Sequence, residues 1–211
     1  MIQIILLSFL MVQLVQFSIK ELFEIKINED KFAEILYIIT PVIILMLYVK
    51  LGFNEEFFRY SLLVCFLVVI SIIDYYTMYI YDITIISGII IQGIILLLTK
   101  DNIIYHIIGL AFGFIIPYIM VKLTKGVGSG DIGVYTLCCF CIGIEKSVYM
   151  IPISFIIGSI YGVYLLLFKK KSKNSYMPFA PCIFLATTFV ILSQQNFIFN
   201  IWNFKNLIYK K

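Results

Sequence analysis

Charge is scarce in this chain. Only 13% of its 211 residues are Asp, Glu, Lys or Arg, against roughly 25% in an average soluble domain. With 62% hydrophobic residues and a mean hydropathy of +1.04, too little polar surface remains to cover a water-soluble fold. That excludes an ordinary soluble domain and makes lipid the solvent. Histidine is almost missing: His106 stands alone within an apolar segment, has no second ligand at metal spacing, and is read as a packing or helix-bonded residue. The five cysteines, Cys65, Cys138, Cys139, Cys141 and Cys182, all lie in apolar stretches. The C-C-x-C run at 138–141 points around different sides of one helix, so neither a zinc knot of two converging pairs nor a disulfide framework is expected, and the thiols are read as small packing residues. No metal site, nucleotide motif, nucleic-acid motif, internal repeat or low-complexity linker is visible.

What is present is a series of long apolar runs. Eight candidate spans can be read at about 2–19, 33–49, 60–82, 83–99, 103–121, 131–149, 150–168 and 176–193. At roughly 20 residues apiece they take about 160 positions, leaving no room for a separate soluble domain. The expected fold is all-α: about eight transmembrane helices plus a C-terminal interfacial amphipathic helix. The first span lacks a basic start and a small-residue cleavage site and is expected to stay as an uncleaved helix. From Gln194 onward, Phe197, Ile201, Phe204 and Ile208 share one helical face opposite Asn196, Asn203, Asn206 and Lys210. This is the pattern of a helix lying flat with Trp202 near the headgroups.

Basic residues set the expected orientation. With the N-terminus outside, the inner connectors carry Lys20, Lys26, Lys31, Lys122, Lys125, Lys169, Lys170, Lys171 and Lys173, while the outer ones carry Lys50, Arg59, Lys100 and Lys146. The tail adds Lys205, Lys210 and Lys211 to the outer side, so the weight rests on the dense KKKSK run at 169–173. That run is read as a topology anchor in preference to a lipid or nucleic-acid patch.

Against this background three aspartates, Asp74, Asp82 and Asp131, stand out, because an ionisable group within a span is costly. The apolar stretch Tyr60 to Ile73 is too short to cross a bilayer. The third helix is therefore expected to continue past Asp74 towards Asp82, placing Asp74 about 12 Å inside its end. The apolar run Ile132 to Ile144 is short as well, which draws Asp131 towards the hydrocarbon boundary. Before it comes Lys125-Gly126-Val127-Gly128-Ser129-Gly130-Asp131, whose glycines break the helix and admit close backbone approach. In the chosen orientation both regions face the cytoplasm, so Asp74 and Asp131 can meet. Two facing carboxylates in a partly dry site share one proton, and such a pair can activate water with one member and protonate a scissile carbonyl with the other. On these grounds alone a proton-coupled or cation transporter, or an assembly scaffold, fits almost equally well.

The motifs themselves resemble those of the type IV prepilin peptidases. Ile73-Asp74 followed by Tyr81-Asp82 resembles that family's two aspartates eight residues apart, the second in an I-P-D tripeptide. Gly128-Ser129-Gly130-Asp131 resembles its GxGD motif, and Pro178-Phe179-Ala180-Pro181 its P-F-G-P segment. The resemblance covers about residues 50–193. It implies a membrane aspartic endopeptidase with Asp74 and Asp131 as its catalytic pair and no cofactor. Asp82 takes the third acidic position, and Gly128, Gly130, Pro178 and Pro181 shape loops or hold substrate. The implied substrates are prepilins and pseudopilins, cut at the cytoplasmic face of a bacterial cytoplasmic membrane. The implied division is a two-helix region 1–49, a six-helix peptidase core 50–193 and the tail 194–211. Presenilin-like proteases also carry GxGD and a YD pair, but their P-A-L segment is not found. Tyr81 replaces the usual proline, Ala180 a glycine and Gly133 a lysine, and the glutamate usual before GxGD is missing. Long family members insert a cysteine-rich zinc lobe, linked to N-methylation, after the first helix. Here the connector Lys20 to Lys31 is 12 residues without cysteine, so methyl transfer is expected to be absent.

Overall fold

The computed structural model describes residues 2–22, 31–99, 102–124, 128–168 and 177–193. The regular elements among them are all helical: α1 (Ile2–Phe17), prolonged by a π-helical turn at Ser18–Leu22, then α2 (Lys31–Leu51), α3 (Glu55–Thr77), α4 (Asp82–Thr99), α5 (Ile103–Thr124), α6 (Ser129–Phe168) and α7 (Ala180–Leu192). Five of them, α2 to α6, are long and apolar enough to cross a membrane. The chain is an all-α polytopic membrane protein. The amphipathic tail 194–211 with Trp202, the KKKSK run 169–173, residues 125–127 and most of the Lys20 to Lys31 connector lie outside the described residues.

Helix α6 holds 40 residues, which at a rise of about 1.5 Å would be twice as long as the ~30 Å hydrocarbon core is thick. It does not run straight. Gly143 has φ 76° and ψ 170°, a combination open in practice only to glycine, and a Cβ there would overlap the ring of Tyr105. Tyr135 and Ser154, on opposite sides of this residue, hydrogen-bond through their hydroxyls, so the two limbs fold back as a hairpin. The expected boundary between 149 and 150 is therefore corrected to Gly143. Apolar content does not locate this reversal; backbone freedom does. With α6 taken as two limbs, the helices follow the expected order, although α1 with 16 residues and α7 with 13 are shorter than a full crossing needs.

Three further boundaries move. α3 begins at Glu55, because Asn54 caps it by accepting the Phe57 amide at 2.9 Å while Glu55 and Glu56 occupy the positive first turn. Arg59 does not delay the start: it is buried at 3% exposure beside the Tyr60 ring, and its carbonyl accepts from Gln92 Nε2 at 3.0 Å. At the other end Met78, with φ 54°, takes a left-handed turn and its amide bonds Asp74 O at 2.9 Å. Asp74 therefore lies three residues from the helix end and not eight. The last helix starts at Ala180, not 176.

In lipid, helices associate through close packing, since the solvent is as apolar as the side chains. α3 is central, touching α1, α2, α4, α6 and α7, while α7 lies between α3 and α6. Small residues bring the axes together. Gly109 and Gly113, a G-x-x-x-G pair on α5, face the backbone of α6, and a Cβ on Gly113 would sit 2.6 Å from Cys139 Cβ and 2.7 Å from Tyr135 O. Gly133 on α6 and Gly88 on α4 likewise admit Ile85 and Leu137. His106 bonds the carbonyl of Phe140 at 2.8 Å through Nδ1.

Candidate active site

Asp74 enters the site from the last turn of α3 and Asp131 from the first turn of α6. The two carboxylates, 6% and 5% exposed, are close enough to interact electrostatically. Each also satisfies a helix N-terminus, where backbone amides lack intrahelical partners and the dipole favours negative charge. Asp74 Oδ2 accepts the amide of Ala180, the first residue of α7, at 2.9 Å, with a further bond from the backbone of Phe179. Asp131 Oδ2 accepts the amide of Gly128 at 3.1 Å, the backward half of a capping box.

The glycines have separate tasks. A Cβ at Gly128 would stand 3.1 Å from Asp131 Oδ2, and one at Gly130 would stand 3.1 Å from Ile80 Cβ. Gly130 thus admits the buried Ile80, so the loop leaving the helix of Asp74 closes onto the turn that bears Asp131. Gly133, where the resembled family has lysine, packs on Ile85, and a Cβ would overlap Ile85 Cδ1. A lysine here would require the terminal methyl of Ile85 to move aside.

Pro178 is buried in the segment leading into α7, and Pro181 occupies its first turn, where a missing amide costs nothing. Asp82 is exposed in the first turn of α4; the carboxylate that acts on Asp131 is Asp74. Cys182 feels both carboxylates electrostatically from the first turn of α7 and is itself buried. Among the described residues, no three His, Cys, Asp or Glu side chains gather as metal ligands.

Some participants escaped the reading of motifs. The Ala180 and Phe179 amides carry no side-chain signal, and the flagged prolines were the one hint that this segment is shaped. Lys50, counted only as an outer charge, donates from Nζ to the carbonyls of Ile191 and Ser193 at the far end of α7. α7 is thus bracketed by the Asp74 carboxyl at its N-terminus and the Lys50 amine at its C-terminus, the placement that the helix dipole favours.

Fold and site together define a polytopic helical membrane protein with a buried pair of aspartates at the ends of two of its helices. Residues 61–163 match the Type IV leader peptidase family, a stretch that contains Asp74, Asp82 and Gly128 to Asp131 and stops before the Pro178 segment. The chain is also 26% identical over 137 residues to the prepilin leader peptidase/N-methyltransferase of Bacillus subtilis (strain 168). That match covers 64% of this chain and 55% of the relative, so the chain spans little more than half of the curated protein it matches. No solved structure matches the chain. The two similarities support a protein of the prepilin-peptidase type.

Proposed function

We propose that the chain is an aspartic endopeptidase that removes the short basic leader from type IV prepilins and pseudopilins. The observation that carries this reading is the burial of Asp74 and Asp131, from helices distant in sequence, within electrostatic reach of each other. The family match and the Bacillus relative support the substrate class. In the reaction, the ionised carboxylate takes a proton from water as the oxygen attacks the scissile carbonyl carbon. The protonated carboxylate gives its proton to the carbonyl oxygen. As the resulting diol collapses, the carboxyl that took the water proton delivers it to the departing nitrogen and a diol hydroxyl returns its proton to the other carboxylate, so that the amine and the new acid leave and the pair again holds one proton. The amides of Ala180 and Gly128 hold one oxygen of each carboxylate, leaving the other oxygen of each for water and substrate.

The site faces the cytoplasm of a bacterial cytoplasmic membrane in this proposal, with the N-terminus outside. A leader rich in Lys and Arg stays on the same side as the basic connectors, which puts the scissile bond and the dyad at one depth. Methyl transfer is not part of the proposed activity, because the short connector after α1 offers no cysteine pair for a zinc lobe.

The test is cleavage of a purified prepilin by the purified protein in lipid nanodiscs, with S-adenosylmethionine added and the product weighed by mass spectrometry. Loss of a leader, abolished by Asp74→Asn and by Asp131→Asn, is the expected result. Substantial cleavage by either variant overturns the dyad; no cleavage by the wild type, with proton flux instead, moves the aspartates to a transport role. A methylated product overturns the single-activity reading.

A further inference from the structure

The bond from the Ala180 amide to Asp74 requires α7 to start at one particular place, and residues 177–179 immediately before it are not helical. An aromatic ring sits in a slot at this point. Phe179, the residue immediately before α7, lays its ring over Gly158 on the second limb of α6; a Cβ at Gly158 would overlap Phe179 Cε2 and stand 3.3 Å from Cδ2 and Cζ. The same ring packs against Phe155, with centroids 5.6 Å apart, and Tyr135, at 6.5 Å. Tyr135 is fully buried one turn beyond Asp131 and is tied by its hydroxyl to Ser154. One ring therefore contacts both limbs of the α6 hairpin, while the backbone that carries it bonds Asp74.

We propose that Gly158 is a positioning residue for the dyad: its missing side chain forms the slot that seats Phe179, and this seating sets the Ala180 amide on Asp74 and so orients that carboxylate towards Asp131. The claim rests on the peptidase reading only for its kinetic consequence; the orientation of Asp74 is separately observable. One turn further on, Gly162 faces Met177 Sδ at 3.8 Å from its built Cβ, an ordinary contact. It lies on the same side of the same helix, a matched control.

Gly158→Ala displaces the ring, and a shift of the order of 1 Å in a catalytic group costs on the order of a hundredfold in rate. The experiment compares wild type, Gly158→Ala and Gly162→Ala in nanodiscs. One measurement is kcat and KM on a prepilin. The other is the infrared carboxyl band of Asp74 in an acid-minus-alkaline difference spectrum, assigned by its disappearance in Asp74→Asn. The expected result for Gly158→Ala is a fall in kcat of at least about tenfold with KM unchanged and a displaced Asp74 band, while Gly162→Ala matches wild type in both. If Gly158→Ala does not fold, Phe179→Ala, which vacates the slot and adds no atoms, is expected to show the same two changes. An unmoved Asp74 band in the folded slot variant overturns the proposal whatever the rate. A displaced band in a preparation whose wild type cleaves no prepilin supports the positioning and overturns the peptidase reading instead.

Discussion

Asp74 serves two roles, and two substitutions separate them. As a cap, its Oδ2 receives the Ala180 amide at 2.9 Å in a buried setting. As an acid or base, it needs a titratable carboxyl. Asp74→Asn keeps the volume and an acceptor oxygen; any charge it removes from the N-terminus of α7, worth about 0.3–1 kcal/mol, is offset by relief of that charge's burial and of its repulsion with Asp131. Asp74→Ala removes the acceptor as well and leaves a buried amide without a partner, a further cost of about 1–3 kcal/mol. Both variants lose the proton carrier, a rate effect of about 10²–10⁴ by itself. The expected result is an Asn variant close to wild type in stability and a less stable Ala variant, with activity absent from both. Stability is read by titration with sodium dodecyl sulfate in mixed micelles followed by circular dichroism, and activity by the shift in mobility when a prepilin loses its leader. Cleavage by the Asn variant within tenfold of wild type refutes the catalytic role, and equal stability of the Asn and Ala variants refutes the capping geometry.

Asp82 is exposed at the start of α4, so Asp82→Asn is expected to leave prepilin cleavage within a few-fold of wild type; loss equal to that of Asp74→Asn would make Asp82 a partner in the chemistry. Lys50→Met removes the donor to Ile191 and Ser193 and is expected to lower stability by about 1 kcal/mol in the same micelle titration, with no change signifying that the clamp on α7 is idle. Gly143→Ala forces a Cβ into the Tyr105 ring at a positive φ and is expected to cost at least about 1–3 kcal/mol from backbone strain alone, seen as reduced yield and an earlier unfolding midpoint; wild-type stability would show that the hairpin turns elsewhere. All five native cysteines are buried, so single cysteines at the exposed Ser129 and Tyr79 should dominate maleimide labelling in oriented vesicles. Reaction from the cytoplasmic side is expected, and reaction only from outside inverts the proposed topology.

The membrane-embedded, all-helical character followed from the sequence by itself, because the balance of apolar and charged residues leaves no other solvent. The candidate pair was legible for a related reason: a carboxylate in an apolar run is costly enough to stand out, and the glycines before Asp131 mark a break that apolar periodicity cannot hide. Helix limits were less legible: the expected span began at residue 60, just after Arg59, whereas α3 starts at Glu55 and the bundle buries Arg59 beside Tyr60. The reversal inside α6 depended on which glycine of an apolar stretch has room for a positive φ, and the ring of Tyr105 selects Gly143. The Ala180 amide that meets Asp74 lies 106 residues along the chain, and every residue but proline has such an amide, so no local pattern announces it. Lys50 and Gly158 belong to the same class: each acts through a partner from a distant helix, and only packing in three dimensions chose that partner.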